Sequence, residues 1–338
     1  EFTFQADDGR SLRFQGAKHP SLLRPLFTST TLWGTIFDGT TAIAMARLGP
    51  SYVKLGQFMA MRYDILPRSY CDELSTLLDS LPPQPLPLIQ AMVERELGRP
   101  ISACFAEFEP EALASASIAQ VHGARLHSGE RVVVKVIRPG VEHSFGVDFF
   151  YFRYLASLFD SLGFLPSVDF KSIVRELMRL SAEEMDFRRE ARNVSHIHRL
   201  FEEDSVDHYA PRVYSEFSSR RVLTLERIEG VSVLKLVAAR EAGDVAQLEA
   251  WAKDGITPER TAALFVRSLL EQSYHHRFFH VDPHAGNAIV MKGGTLAWID
   301  FGMMGWLDER IWAQQFKLRQ AVANDRIHAA YQAMIATL

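Results

Sequence analysis

Alternating apolar and polar positions between residues 101 and 137 predict β-strands. The last run, RVVVKVI at 131–137, places Val133, Lys135 and Ile137 on one strand face and three valines on the other. Because both faces are largely apolar, we expect this run to be a central strand.

Helical spacing dominates the residues before those strands. Residues 1–20 are polar and mixed, and they predict a short hairpin or a loose arm. Residues 21–66 predict helices with a break at Gly49-Pro50, since proline is favoured at the first position of a helix.

Two further helices flank a proline cluster. One is predicted at 69–80 and the other at about 87–97, where Gly98 and Pro100 stop it. The cluster LPPQPLP at 81–87 lies between them and is the best candidate for a linker.

After the strands, residues 143–204 are predicted to be helical. Ser181 and Glu184 have the spacing of a capping box, which predicts that a new helix begins near residue 182. Strands return at 212–226.

The remainder is predicted to be mainly helical from Gly230, with a long helix at 258–276. One hairpin interrupts it, because residues 287–299 alternate like two strands around the turn at 292–294. Such a hairpin would hold Asn287 and Asp300 close together at one mouth.

Composition narrows the class of protein. The 338 residues are 47% hydrophobic and 23% charged, as in a soluble globular protein of two or three packed units. A net charge of −4 without a long basic run argues against a nucleic-acid-binding protein. Cys71 and Cys104 provide no disulfide framework. No apolar stretch reaches the roughly 18–20 residues that span a bilayer, and a start at Glu1 indicates a fragment.

Candidate chemistry lies in HVDPHAGN at 280–287 and in the DFG triplet at 300–302. Asp282 precedes Asn287 by five residues, and Asp300 follows 13 residues later. A protein kinase uses this order for a catalytic Asp, an Asn on the metal and a metal-holding Asp. The spacing therefore predicts that Asp282 orients or deprotonates the nucleophile and that Asn287 and Asp300 hold Mg²⁺.

Lys135 is the candidate for gripping nucleotide phosphates. A lysine inside an apolar strand needs a partner, unless it lies on an edge strand and reaches water. Glu190 in EEMDFRREARN is the candidate partner, although this charged run alone is more typical of a solvated helix face.

A phosphate-binding loop is less evident. The sequence contains neither a Walker A motif nor G-x-G-x-x-G, which excludes P-loop and Rossmann proteins. The segment before the lysine strand is ASASIAQVH at 114–122, and alanine tolerates positive φ less well than glycine. From chemistry alone, this segment predicts a plain hairpin.

These segments together resemble the UbiB/ADCK family of atypical kinase-like proteins, which supports ubiquinone biosynthesis. ASASIAQVH is similar to the family's alanine-rich loop, with Ala119 where the family usually has glycine. LGPSYVKLGQ resembles its KxGQ signature through Lys54, Gly56 and Gln57. Glu184-Met185-Asp186 resembles its ExD signature, and the resemblance extends from about residue 45 to 310.

The resemblance implies an α+β, bilobal protein-kinase-like fold with a helical N-terminal extension carrying the KxGQ motif. The extension would comprise residues 1–100 and lie over the active site. Residues 101–228 would form the N-lobe with a helical insertion, and 229–338 would form the C-lobe.

The resemblance also assigns residues to the site. Lys54, with Gln57 beside it, would meet both Glu184 and Asp186 in a regulatory cluster. Spacing alone makes those two carboxylates diverge on a regular helix. Glu190 would pair with Lys135. Nucleotide contacts would come from the loop and from the hinge, namely Ala114, Ser115, Ala116, Ser117, Glu226 and Ile228.

The implied function is binding of ATP or ADP with Mg²⁺ and either ATP hydrolysis or phosphoryl transfer. A covered cleft blocks protein substrates, so the acceptor would be small or a lipid. The implied partners are a quinone precursor, a membrane surface and quinone-biosynthesis enzymes. The expected location is the cytoplasmic face of a membrane, with this fragment itself soluble.

Two other functions remain open from the sequence. The alanine loop and the covering helix favour a non-catalytic, nucleotide-gated scaffold. A metallohydrolase is the remoter alternative, because imidazoles and a carboxylate cluster with ligand-like spacing at His275, His276, His280, Asp282 and His284.

Overall fold

The N-terminal region combines a hairpin with a group of short helices. The computed structural model describes residues 2–5, 11–14, 41–75, 77, 81–163, 168–204 and 207–335. Strands β1 (Phe2–Gln5) and β2 (Ser11–Phe14) pair antiparallel, as one of the two sequence alternatives predicted. The predicted helices at 21–40 lie outside the described residues.

Three helices of the extension pack around their own small core. They are α1 (Thr41–Leu48), α2 (Pro50–Ala60) and α3 (Arg68–Ser75). The predicted start of a helix at Pro50 is confirmed, and Gly49 adopts φ 114°, which suits glycine. Their shared core contains Val53, Cys71 and Leu74.

Helix α4 (Leu86–Leu97) follows the proline cluster and ends at Gly98, as predicted. Glycine serves there because φ is 68°, a left-handed C-cap conformation. A single turn, α5 (Ile101–Cys104), leads into the sheet.

The sheet contains the lysine strand at its centre. Strands β3 (Phe105–Ser115), β4 (Ala119–Leu126) and β5 (Arg131–Ile137) are consecutive antiparallel neighbours. The valine face of β5 packs on Ile89 and Val93 of α4, which covers this side of the sheet.

Three long helices follow, namely α6 (Val141–Leu162), α7 (Phe170–Glu184) and α8 (Phe187–Asp204). The prediction of a helix start near 182 is wrong. Ser181 is buried inside α7, where its hydroxyl donates to the Leu177 carbonyl at 2.7 Å. The break comes later, where the Asp186 side chain accepts from the Arg188 amide at the start of α8.

Strand β6 (His208–Tyr209) precedes β7 (Val222–Glu226), which completes the sheet order β3-β4-β5-β7. The prediction of a strand in the first part of 212–226, at residues 212–217, is wrong. Val213 makes one isolated bridge to Leu225, and residues 215–217 then form a 3₁₀ turn.

The C-terminal part begins with β8 (Val231–Ser232), α9 (Val233–Glu241), α10 (Val245–Ala252) and α11 (Pro258–Tyr274). Short strands follow as β9 (Phe278–His280), β10 (Ala288–Val290), β11 (Leu296–Trp298) and β12 (Met304–Trp306). The predicted hairpin is confirmed, with Ala288 opposite Trp298. Strand β6 pairs with β11 and so joins this second sheet.

Helices α12 (Glu309–Ala323) and α13 (Ile327–Ile335) end the described chain. The main core runs from Phe145 and Phe149 of α6 through α8 to Trp298 and Phe301. No helix among the described residues combines the length and the apolar character that crossing a bilayer requires.

Candidate active-site cleft

Ten of the fifteen sequence-predicted site residues line one cleft of about 210 Å³. This volume is smaller than the roughly 300–1,000 Å³ of most small-molecule sites. Helix α2 contributes Lys54 and Gln57 to its lining. The other predicted residues that line it are Ala116, Ser117, Lys135, Glu184, Glu190, Asp282, Asn287 and Asp300.

Lys135 lies at the centre of the charged groups. Its Nζ is 2.9 Å from both carboxylate oxygens of Glu190 and 3.0 Å from Oδ2 of Asp300. The β5 strand presents the lysine, whereas the buried face of α8 presents the glutamate. The carboxylate of Glu190 is only 5% exposed and that of Asp300 is 40% exposed.

Burial and charge compete within this group. Burial opposes the charge of Lys135, but Asp300 and Glu190 outweigh it and raise the pKa of Lys135. Burial likewise opposes ionisation of Asp300, yet Lys135 and the Gly302 amide lower the pKa of Asp300 to about 2. Burial raises the pKa of Glu190, and the charge of Lys135 limits that rise. The lysine is therefore protonated between two carboxylates.

The β10–β11 hairpin brings the predicted metal-holding residues together. The Ile299 amide donates to the Asn287 carbonyl at 2.9 Å, which places Asp300 beside Asn287 at the hairpin mouth. Asn287 Nδ2 donates to the Asp282 carbonyl at 3.2 Å. The side chain of Asp282 is 52% exposed and faces the cleft opening.

A buried polar network supports the loop between β9 and β10. Nε2 of His280 bonds to the Asp300 carbonyl, and the His280 amide donates to Gln272 Oε1 at 3.0 Å. Gln272 bonds to Ser268, which accepts from Nε1 of Trp298 at 2.9 Å. Hence His280 connects the segment at 280–287 with the DFG triplet at 300–302.

This arrangement bears on the metallohydrolase alternative. The ring of His280 hydrogen-bonds to the Asp300 carbonyl, and the rings of His275 and His276 contact each other. Within the described ranges, no three His, Cys, Asp or Glu side chains form a group suited to a metal ion.

Helix α2 contacts the cleft through an ion pair. Nζ of Lys54 bonds both oxygens of Glu184, at 2.6 Å for Oε2, while Nε2 of Gln57 donates to the Leu77 carbonyl. Asp186 does not complete the expected three-residue cluster. Its carboxylate pairs with Arg188 at 2.6 Å, because it lies beyond the end of α7 and caps the next helix.

The alanine-rich segment forms a turn between β3 and β4. Ala116 and Ser117 line the cleft, together with Ile118 and Ala119. Ala114 and Ser115 belong to β3 and are not part of the cleft lining. The Ser115 hydroxyl accepts a hydrogen bond from Arg138 at 2.8 Å.

The predicted hinge residues lie at the end of β7. The amide of Glu226 donates to the Arg212 carbonyl, and its carboxylate accepts from the Tyr209 hydroxyl at 2.7 Å. The next amide, that of Arg227, donates to the Arg131 carbonyl. Neither Glu226 nor Ile228 belongs to the lining of the cleft, so the nucleotide contacts expected of these two residues stay a prediction.

Sequence reasoning missed Phe187. Its ring centroid lies 5.4 Å from Nζ of Lys135, and it lines the cleft. The residue adjoins the ExD segment, and its place at the start of a helix could have signalled an inward-facing aromatic.

Comparisons with known proteins agree with this geometry. The profile described as ABC1 atypical kinase-like domain matches residues 76–333. A chloroplastic Arabidopsis thaliana protein, named as an uncharacterized aarF domain-containing protein kinase, is 34% identical over 299 residues, which cover 86% of this chain and 52% of that protein. Arabidopsis ACTIVITY OF BC1 COMPLEX KINASE 7, also chloroplastic, is 36% identical and covers 78% of this chain and 36% of its own length. The chain thus spans about half or less of these relatives.

A solved structure supports the fold. The complex of Rv3197 with erythromycin from Mycobacterium tuberculosis aligns with a TM-score of 0.61 at 22% identity and covers 92% of this chain and 75% of that one. The predicted α+β, kinase-like fold with a helical N-terminal region is confirmed. The chain belongs to the family of ABC1 atypical kinase-like proteins.

Proposed function

We propose that the cleft binds a magnesium-nucleotide and that the protein is an atypical kinase-like ATPase. The observation that carries this proposal is the position of Lys135 between Glu190 and Asp300. A kinase needs the lysine held by a helix glutamate and a metal-holding aspartate within the same site. Here Nζ of Lys135 lies about 3 Å from a carboxylate oxygen of Glu190 and about 3 Å from one of Asp300.

The donor set fits Mg²⁺. Asp300 offers carboxylate oxygens, and Asn287 retains its side-chain oxygen because its Nδ2 is the atom that bonds to Asp282. Hard oxygen donors of this kind suit magnesium. When bound, the ion would neutralise phosphate charge. Lys135 would hold the α- and β-phosphates, and Asp282 would orient the attacking hydroxyl or water and accept its proton.

The acceptor is proposed to be small or a lipid. The support for this is that Lys54 and Gln57 of α2 contribute to the lining of the cleft, where Lys54 pairs with Glu184. A polypeptide segment would have to displace this helix. We propose either hydrolysis of ATP or transfer to a quinone-lipid precursor, in support of ubiquinone biosynthesis.

The cellular setting of this proposal comes from the family resemblance. Quinone-biosynthesis enzymes and a membrane surface are the proposed partners, and the cytoplasmic face of a membrane is the proposed location. The names of the relatives state only a kinase domain and a chloroplast location for those proteins.

Magnesium-dependent ATP turnover by the purified chain, with and without lipid vesicles, tests the proposal. Asp282→Asn should abolish turnover and leave nucleotide binding within a few-fold, because Asp282 is exposed and outside the Lys135 ion pairs. Asp300→Asn should abolish binding of the magnesium-nucleotide. Unchanged nucleotide binding in Asp300→Asn would refute the site.

A scaffold gated by nucleotide is the second candidate. The observations that favour it are the Lys54–Glu184 pair of α2 in the cleft and the alanine residues in the turn that lines it. Tight binding of MgATP without turnover, with or without vesicles, would favour the scaffold over the ATPase. Zinc bound tightly in the absence of nucleotide would instead support a metallohydrolase.

A further inference from the structure

Arg138 is a buried cation directly behind the alanine-rich turn. Arg138 is the first residue after β5, and it is only 5% exposed. Nη1 donates to the Ser115 hydroxyl at 2.8 Å and to the Ala116 carbonyl at 3.3 Å, while Nη2 donates to the Pro82 carbonyl at 2.8 Å.

The charge of Arg138 is not balanced by these partners. They are one hydroxyl and two carbonyl oxygens, and Nε is buried without a hydrogen-bond partner among the described atoms. Burial alone lowers the pKa of Arg138. A buried guanidinium is ordinarily paired with an anion. Ala116, whose carbonyl accepts from Arg138, lines the cleft.

The hydrogen bond to Ala116 also fixes the direction of a peptide group. The described peptide bonds are all trans, so the Ala116 carbonyl and the Ser117 amide point to opposite sides. Because the carbonyl points at Arg138, the Ser117 amide points away from it. The hydrogen bond from Arg138 therefore fixes the direction of a backbone donor on a cleft-lining residue.

The same side chain connects the turn to the proline segment. Arg138 holds Pro82, and two residues further on the Gln84 amide donates to Gln120 Oε1 at 2.7 Å. The turn is thus fixed between β5 and the proline segment that precedes α4.

We propose that Arg138 is the positioning residue of the phosphate-binding turn, orienting the Ala116–Ser117 peptide toward nucleotide phosphates and supplying positive charge behind it. This inference rests on the proposed nucleotide site and names the part of the nucleotide that Arg138 serves. Its effect should fall on the phosphates and not on the nucleoside.

Calorimetric binding of MgATP and of adenosine to three variants tests the inference. Arg138→Met removes the charge and both bonds to the turn, so MgATP affinity should fall about 10- to 100-fold, as for loss of a charge-assisted hydrogen bond. Adenosine affinity should stay within about twofold. Arg138→Lys retains the charge and should recover part of the MgATP affinity. Arg125→Met is the matched control on neighbouring β4, where the arginine is 49% exposed, and should match wild type.

Equal losses of MgATP and adenosine affinity in Arg138→Met, or no loss of either, would overturn the inference. If Arg138→Met fails to fold, Arg138→Lys and Ser115→Ala carry the same comparison, and MgATP affinity equal to wild type in both would overturn it. Failure of the proposed function gives a different result, because wild-type protein would then not bind MgATP. Hydrogen exchange at residues 114–119 would then decide whether Arg138 orders the turn, and unchanged exchange in Arg138→Lys would refute that role.

Discussion

Removing Glu190 and removing Asp300 should affect stability very differently, although both carboxylates contact Lys135 at about 3 Å. Breaking a buried ion pair by removing one partner costs roughly 3–5 kcal/mol. In Glu190→Gln, the charge of Asp300 still balances the charge of Lys135. The glutamine is neutral, so the cost of burying a charged carboxylate, which raises the pKa of Glu190, is removed. We therefore expect a smaller loss of about 2–3 kcal/mol in the free energy of unfolding.

Asp300→Asn should cost less. Its carboxylate is 40% exposed, so solvent screens its attraction to Lys135, and Glu190 remains as the buried partner. We expect a loss of about 1 kcal/mol. The order should reverse for ligand binding, because Asp300 would hold the metal whereas Glu190 holds only the lysine.

Urea unfolding followed by circular dichroism at pH 7.5 measures both changes. Glu176→Gln is the matched control, since this glutamate is 46% exposed on α7 and pairs with Arg179 at the surface. Its effect should stay within about 0.5 kcal/mol. Equal destabilisation by Glu190→Gln and Asp300→Asn, or a larger effect of Asp300→Asn, would refute the argument from burial.

Three further outcomes are expected. Burial lowers the pKa of His122 and His280 below 6.5, so the unfolded chain takes up protons that the folded chain does not. The contribution of these two histidines to stability should be constant above about pH 6.5 and fall below it, by up to about 1.4 kcal/mol per histidine at pH 5.5. Urea midpoints that do not fall below about pH 6.5 would contradict this. Cys71 and Cys104 are fully buried, and burial raises the pKa of both thiols, so a thiol reagent should label neither before unfolding. Lys54→Ala frees Glu184 at the cleft mouth and should change nucleotide affinity; identical affinity and turnover would remove the regulatory role of Lys54.

Much of the site could be predicted because its parts are short and local. The β5 pattern predicted a central strand with Lys135 on it. This is confirmed, because β5 pairs with β4 on one side and with β7 on the other. The two-glycine turn predicted the hairpin that brings Asn287 to Asp300, with Gly293 at φ 90° and Gly294 at φ 88°. Such features depend on neighbours in sequence.

Other predictions failed where tertiary contacts decide. The Ser-x-x-Glu spacing at Ser181 occurs inside a helix as readily as at its start, and burial of Ser181 selects the interior. Asp186 was assigned to Lys54 by resemblance, but its place past the end of α7 lets it bond Arg188 instead.

Arg138 could not be found by spacing at all. Its contact with Pro82 joins residues 56 positions apart. Gln272 and Trp298 likewise act through Ser268, which is 30 residues from the tryptophan. Only the folded chain shows that these polar groups share one interior.

The charges in the cleft determine what can enter it. Two lysines face four carboxylates, namely Lys54 and Lys135 against Glu184, Glu190, Asp282 and Asp300. Counted as ionised, these groups carry a net charge of −2. A bare triphosphate would add negative charge to a negative enclosure, whereas the same nucleotide complexed to a divalent ion brings the compensating charge with it. In the proposed function, the divalent ion would weaken the repulsion that the nucleotide meets in the cleft, so chelation should lower nucleotide affinity as well as turnover.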